Sequence, residues 1–115
     1  MKIVAFAGSS SKESINKKLV TYVAEQFPNV EKAILDLNDY DMPIFSVDRE
    51  KHEGIPTLAL EFAEKIDSAD LLLIALAEHN STYTAAFKNI FDWISRIKDR
   101  KHFGGKNAFL LATAP

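Results

Sequence analysis

The chain contains no cysteine. Disulfides and thiolate nucleophiles are thereby excluded, a zinc site would need other ligands, and no metal centre is expected. Long apolar runs are missing too. The longest, Leu71–Ala77, is far shorter than the roughly 20 residues that cross a bilayer. The opening Met-Lys-Ile-Val leads straight into a short apolar run, without the long apolar segment and cleavage site of a signal peptide. There is no excess of basic charge. Sixteen acidic residues against fourteen basic ones give a net charge of −2, which offers no footprint for nucleic acid or an anionic membrane surface. Repeats and low-complexity segments are absent. These features predict a soluble, cytoplasmic protein with no nucleic-acid or membrane partner.

What remains is the material of a globular core. Hydrophobic residues make up 47% of the 115, and the length suits one domain over residues 1–115. Apolar runs alternate with helical patterns along the whole chain. Lys2–Ala7 is short, branched and stops at Gly8, as a buried strand would. Ile15, Leu19, Tyr22, Val23 and Phe27 then recur at helical spacing until Pro28. Lys32–Leu37 reads as a second, less buried strand, and Asn38–Gly54 as a long connection with Pro43 and Gly54 as breakers. A second helix begins near Pro56 and carries Ala59, Phe62, Ala63 and Ile66 on one face. Asp70–Leu76 is a strand apolar on both faces. A third helix carries Phe87, Ile90, Phe91, Ile94 and Ile97, and Ala108–Ala112 is a fourth strand.

This order predicts parallel crossovers and an open α/β sheet covered on both faces. The flavodoxin-like version has strand order 2-1-3-4-5 and places its ligand beyond the carboxyl ends of strands 1 and 3. The segments after Ala7 and after Leu76 are therefore where chemistry should sit. The first, Gly8 to Asn16, lacks the later glycines of a dinucleotide fingerprint and the Gly-Lys-Ser/Thr ending of a Walker loop. It offers instead a cluster of hydroxyls and backbone N–H groups at a helix N-terminus, which suits a single phosphate. The same residues also suit a plain cap, with Ser14 capping the helix and the other serines solvated. Composition and spacing leave both readings open.

Two motifs resemble those of the NADPH-dependent FMN reductases. That family carries G-S-x-R-x-x-S-x-N after its first strand, and this chain matches at Gly8, Ser9, Ser14 and Asn16, with Ser11 in place of the arginine. After the third strand the family reads P-E-Y-N-x-S and then L-K-N-x-x-D-W. The chain matches at Glu78, Asn80, Lys88, Asn89, Asp92 and Trp93, with Ala77, His79, Thr82 and Phe87 as departures. Met42–Asp48 is similar to the family's L-P-x-Y/F-x-x-D segment.

The resemblance implies FMN and NADPH as cofactors. It implies that Ser9, Ser11, Ser14 and Asn16 hold the FMN phosphate, with Lys12 adjacent, and that Glu78, His79, Asn80, Ser81 and Thr82 border the isoalloxazine ring. The chemistry would lie on FMN, with no catalytic side chain, and electrons would pass from NADPH to a flavin, quinone, azo dye or metal oxyanion. Losing the arginine removes a bidentate, permanently charged partner for the phosphate. Read by itself, His79 is better explained as an exposed loop histidine. Lys88, Asn89, Asp92 and Trp93 are expected to be structural, with Asn89 and Asp92 tying the helix to the loop before it and Trp93 at a subunit contact. The apolar tip at Met42, Ile44 and Phe45 points to a homodimer or homotetramer.

The family fold continues past four strands, so a C-terminally truncated chain with its fifth strand missing is the expectation. Two other readings remain: a flavodoxin-like electron carrier, for which −2 is a weak charge, and a family member that has lost flavin and serves as an interaction domain. A phosphoacceptor receiver needs acidic residues after its first strand, and Ala7-Gly8 supplies none.

Overall fold

The computed structural model describes residues 1–9, 15–76, 78–79, 82–98, 100 and 105–112. Strands β1 (Lys2–Ala7), β2 (Glu31–Leu35), β3 (Leu71–Leu76) and β6 (Asn107–Ala112) form one parallel sheet in the order β2-β1-β3-β6. This is the expected 2-1-3-4 order. Register runs through Val4 opposite Ala33, Ala5 opposite Leu73 and Leu73 opposite Phe109. The remaining elements are helices α1 (Ile15–Glu25), α2 (Val47–Glu53), α3 (Thr57–Asp67) and α4 (Ala85–Ile94), and a 3-10 turn at Leu37–Tyr40. A short antiparallel hairpin, β4 (Glu78–His79) with β5 (Thr82–Tyr83), fills the connection expected to be a loop.

The central strands are buried on both faces, and their side chains alternate between two cores. Val4, Phe6, Leu72 and Ile74 point toward α3 and α4, where they meet Phe62, Ile66, Ile90, Trp93 and Ile94. Ile3, Ala5, Leu73 and Ala75 point the other way, onto Val20 and Ala24 of α1. Edge-to-face ring contacts of Phe62 with Phe6 and with Tyr40, at 5.3 and 5.0 Å, knit the first core to the 3-10 turn.

Two elements differ from the sequence expectation. On α1 the buried positions are Asn16, Val20 and Ala24, whereas Ile15 and Tyr22 face outward. The helix is turned by about one residue from the stripe of large apolar side chains, with Val20 and Ala24 fully buried. The long connection also contains α2, which buries no residue. That helix rests on its caps. Ser46 accepts from the Arg49 N–H at 3.0 Å, and Gly54, at a φ of 75° that favours glycine, donates to the Glu50 carbonyl at 2.8 Å.

Candidate functional site

Both polar segments singled out in the sequence emerge at the carboxyl ends of adjacent strands, β1 and β3. Gly8 is the joint between them. Its N–H donates to the Ala75 carbonyl at 2.7 Å, and its carbonyl accepts from the Thr84 hydroxyl at 2.6 Å. The Phe87 ring would lie 3.3 Å from a Cβ at this position, so a side chain here would require the ring to give by a few tenths of an ångström. Ser9 follows, only 9% exposed. Ser11 and Ser14, with Ser10 and Lys12, lie outside the described residues.

Asn16 opens the buried face of α1. It is 7% exposed, and its amide oxygen finds no hydrogen-bond partner among the described residues. An amide end buried without a partner costs about 1–3 kcal/mol, and no group among the described residues offsets it. A bound polar group would. Which end of an amide points toward a ligand is interchangeable by rotation, and Asn16 can therefore present a donor or an acceptor there.

Among the described residues, the cation next to Asn16 in sequence is engaged. The Lys17 ammonium, one residue past Asn16, sits 2.7 Å from the Asp36 carboxylate at the end of β2. That hydrogen bond, followed by one from the Asn38 N–H, holds the Asp36 carboxyl below its ordinary value, against the opposing effect of burial. The α1 N-terminus attracts an anion through its dipole and the N–H groups of its first turn.

On the β3 side, Glu78, His79 and Thr82 lie on the hairpin, with His79 opposite Thr82. Only their backbone is described, and Asn80 and Ser81 fall outside the described residues. Thr84 was not anticipated as a site residue. It is 5% exposed and caps α4 by accepting the Phe87 N–H at 3.2 Å. The signal for it was a threonine standing just before an apolar helical stripe, the usual place of a cap.

The helix motif is structural, with three corrections. Asn89 does not bind the loop before its helix. It holds the distant Met42–Phe45 loop, accepting from the Phe45 N–H at 2.8 Å and donating to the Pro43 and Met42 carbonyls at 3.1 and 3.3 Å. Trp93 is not left for a subunit contact either. It is fully buried within the chain, donates to the Pro43 carbonyl at 2.8 Å and meets Phe45 edge-on. Asp92, likewise expected to bind the loop before the helix, pairs instead with Lys88 one turn earlier. Met42 is buried, and of the apolar tip Ile44 stays in water, 79% exposed. A cleft of about 300 Å³ beside this clamp, lined by Leu37, Asn38, Tyr40, Asp41, Met42, Ala86, Asn89 and Ile90, contains none of the proposed flavin residues.

Fold and placement define the class: a flavodoxin-like α/β domain with its candidate site at the switch point of the sheet. The model for NADPH-dependent FMN reductases matches residues 1–115, and the chain belongs to that family. Among its relatives, a quinone reductase of Escherichia coli K12 is 31% identical over 104 residues, covering 87% of this chain and 53% of the relative. A 2-hydroxy-1,4-benzoquinone reductase from a Burkholderia species is 31% identical over 115 residues, covering 99% and 61%. Among solved structures, the flavoenzyme NAD(P)H:(acceptor) oxidoreductase FerB from Paracoccus denitrificans superposes with a TM-score of 0.78 at 25% identity, covering 98% of this chain and 60% of that one. The chain thus spans between half and two thirds of the length of these relatives.

Proposed function

We propose that this chain binds FMN and belongs to an NAD(P)H-dependent oxidoreductase acting on a quinone or a similar small acceptor. The structural observation that carries the reading is Asn16, whose buried amide oxygen has no partner among the described residues, at the head of α1, where the family pattern places a phosphate ligand. Family membership along the whole chain and relatives named as quinone reductases support the same conclusion.

Ser9, Ser11, Ser14 and Asn16 hold the phosphate in this reading. Helix N–H groups supply much of the attraction, because Lys17 is committed to Asp36 and Ser11 replaces a guanidinium. The hairpin residues Glu78, His79 and Thr82, with Asn80 and Ser81 between them, border the ring and limit water at its edge. Bound FMN supplies hydride uptake from NADPH and delivery to the acceptor, so no side chain has to serve as nucleophile. Exposed Ile44 and Val47 favour a homodimer or homotetramer. Sedimentation of the chain as a monomer at micromolar concentration would overturn that part.

The functional test is direct. The protein is titrated with FMN while flavin fluorescence is followed, and the complex is then exposed to NADPH without oxygen. Saturable binding and bleaching of the flavin absorption, reversed by a benzoquinone, are expected. Failure to saturate at high micromolar FMN refutes the reading.

A further inference from the structure

The β3–α4 connection closes on Gly8 from both ends. Ala75, before the hairpin, accepts the Gly8 N–H at 2.7 Å, and Thr84, after it, donates to the Gly8 carbonyl at 2.6 Å. Residues 67 and 76 positions away in sequence thus converge on the single residue that begins the hydroxyl-rich segment. The Thr84 hydroxyl also accepts the Phe87 N–H at 3.2 Å. With one proton given and one received, its orientation is fixed. Thr84 is 5% exposed, and a Cβ at Gly8 would come within 3.3 Å of the Phe87 ring, a tight approach. Neither end can slide without breaking a buried hydrogen bond.

We propose that Thr84 is a positioning residue that sets the distance between the hairpin carrying Glu78, His79 and Thr82 and Gly8, where the proposed phosphate segment starts. The inference rests on the FMN reading above. FMN has its phosphate at one end and its ring at the other, so it must engage both segments at once. A spacing fixed during folding spares the ligand the cost of ordering two loops relative to each other. A ligand that engages only the ring segment gains far less from it. Thr84 therefore acts on the difference between FMN and riboflavin, which lacks the phosphate, and not on flavin binding in general.

Thr84→Val keeps the shape and removes the hydroxyl. Full-length wild type and variant are titrated with FMN and with riboflavin, and thermal unfolding is measured without ligand. FMN affinity is expected to fall roughly tenfold, the scale of one buried hydrogen bond, while riboflavin affinity holds, so the FMN-to-riboflavin ratio narrows by the same factor. Thr84→Ser should restore the wild-type ratio. If Thr84→Val does not fold, Thr84→Ser and Thr84→Ala make the same comparison, since both lose the methyl and differ only in the hydroxyl. An unchanged ratio, or equal weakening of both flavins, overturns the positioning role and leaves the FMN reading standing. A wild type that binds no FMN refutes that reading, and the inference falls with it.

Discussion

Asn16 carries its amide on the same helical face as Val20 and Ala24, and that phase is what takes it out of water. A residue used only for packing would be apolar there. One used for binding is expected to show opposite effects on affinity and stability when it is removed. Asn16→Ala deletes a buried group with no partner among the described residues, so thermal stability should hold or rise, while FMN affinity falls on the order of tenfold, the scale of one hydrogen bond to a charged group. Calorimetry and flavin titration on the same preparation check both halves. Parallel losses in the two would assign Asn16 to the core instead. Ser14→Ala should weaken FMN similarly and Ser10→Ala little, because the family pattern leaves position 10 free. The sequence made Asn16 a candidate through its motif but hid its burial. Counting large apolar residues puts Ile15 and Tyr22 on the inner face, and both are exposed.

Helix α4 organises the carboxyl end of the sheet more than any other element. Its cap is tied to Gly8, and one turn and two turns further on Asn89 and Trp93 grip a loop 44 to 50 residues away in sequence. Asn89 satisfies one N–H and two carbonyls that the loop cannot pair by itself. Asn89→Ala should therefore cost about 2 kcal/mol of stability, read from the urea midpoint at an unchanged slope. A shift within experimental error would mean that water replaces the amide without loss. The apolar stripe of α4 was legible from its spacing, and so was the structural character of its polar residues. Their target was not, since local spacing says nothing about which loop a helix will face. Helix α2 was missed for a related reason. It has no apolar stripe, and its evidence lay in Ser46 and Gly54 as caps, residues that also read as ordinary turn formers.

At the scale of the whole molecule, strand order and the two-sided core followed from the alternation of buried strands and amphipathic helices, since parallel crossovers leave few other arrangements. The two edges of the sheet differ. β2 carries Glu31 and Lys32, which blunt it, while β6 exposes Phe109 and Leu110, 57% and 61% accessible. The sequence placed the apolar character of β6 correctly, and Met42 and Trp93 wrongly, because it could not show that they bury each other's surroundings within one chain. That mutual burial gives the molecule an internal optical gauge. Trp93 is the sole tryptophan, it is sealed from water, and its indole N–H is bonded to the Pro43 carbonyl. Native emission is therefore expected at the short wavelengths of a dry indole, moving red when the 42–45 loop lets go. Emission already red-shifted in the native chain would mean that the grip is open in solution. Because the same helix begins at the proposed flavin site, an isoalloxazine bound there would drain excitation energy from Trp93. Dimming of this one emitter as FMN is added then reports occupancy of the site, with no label and no turnover required.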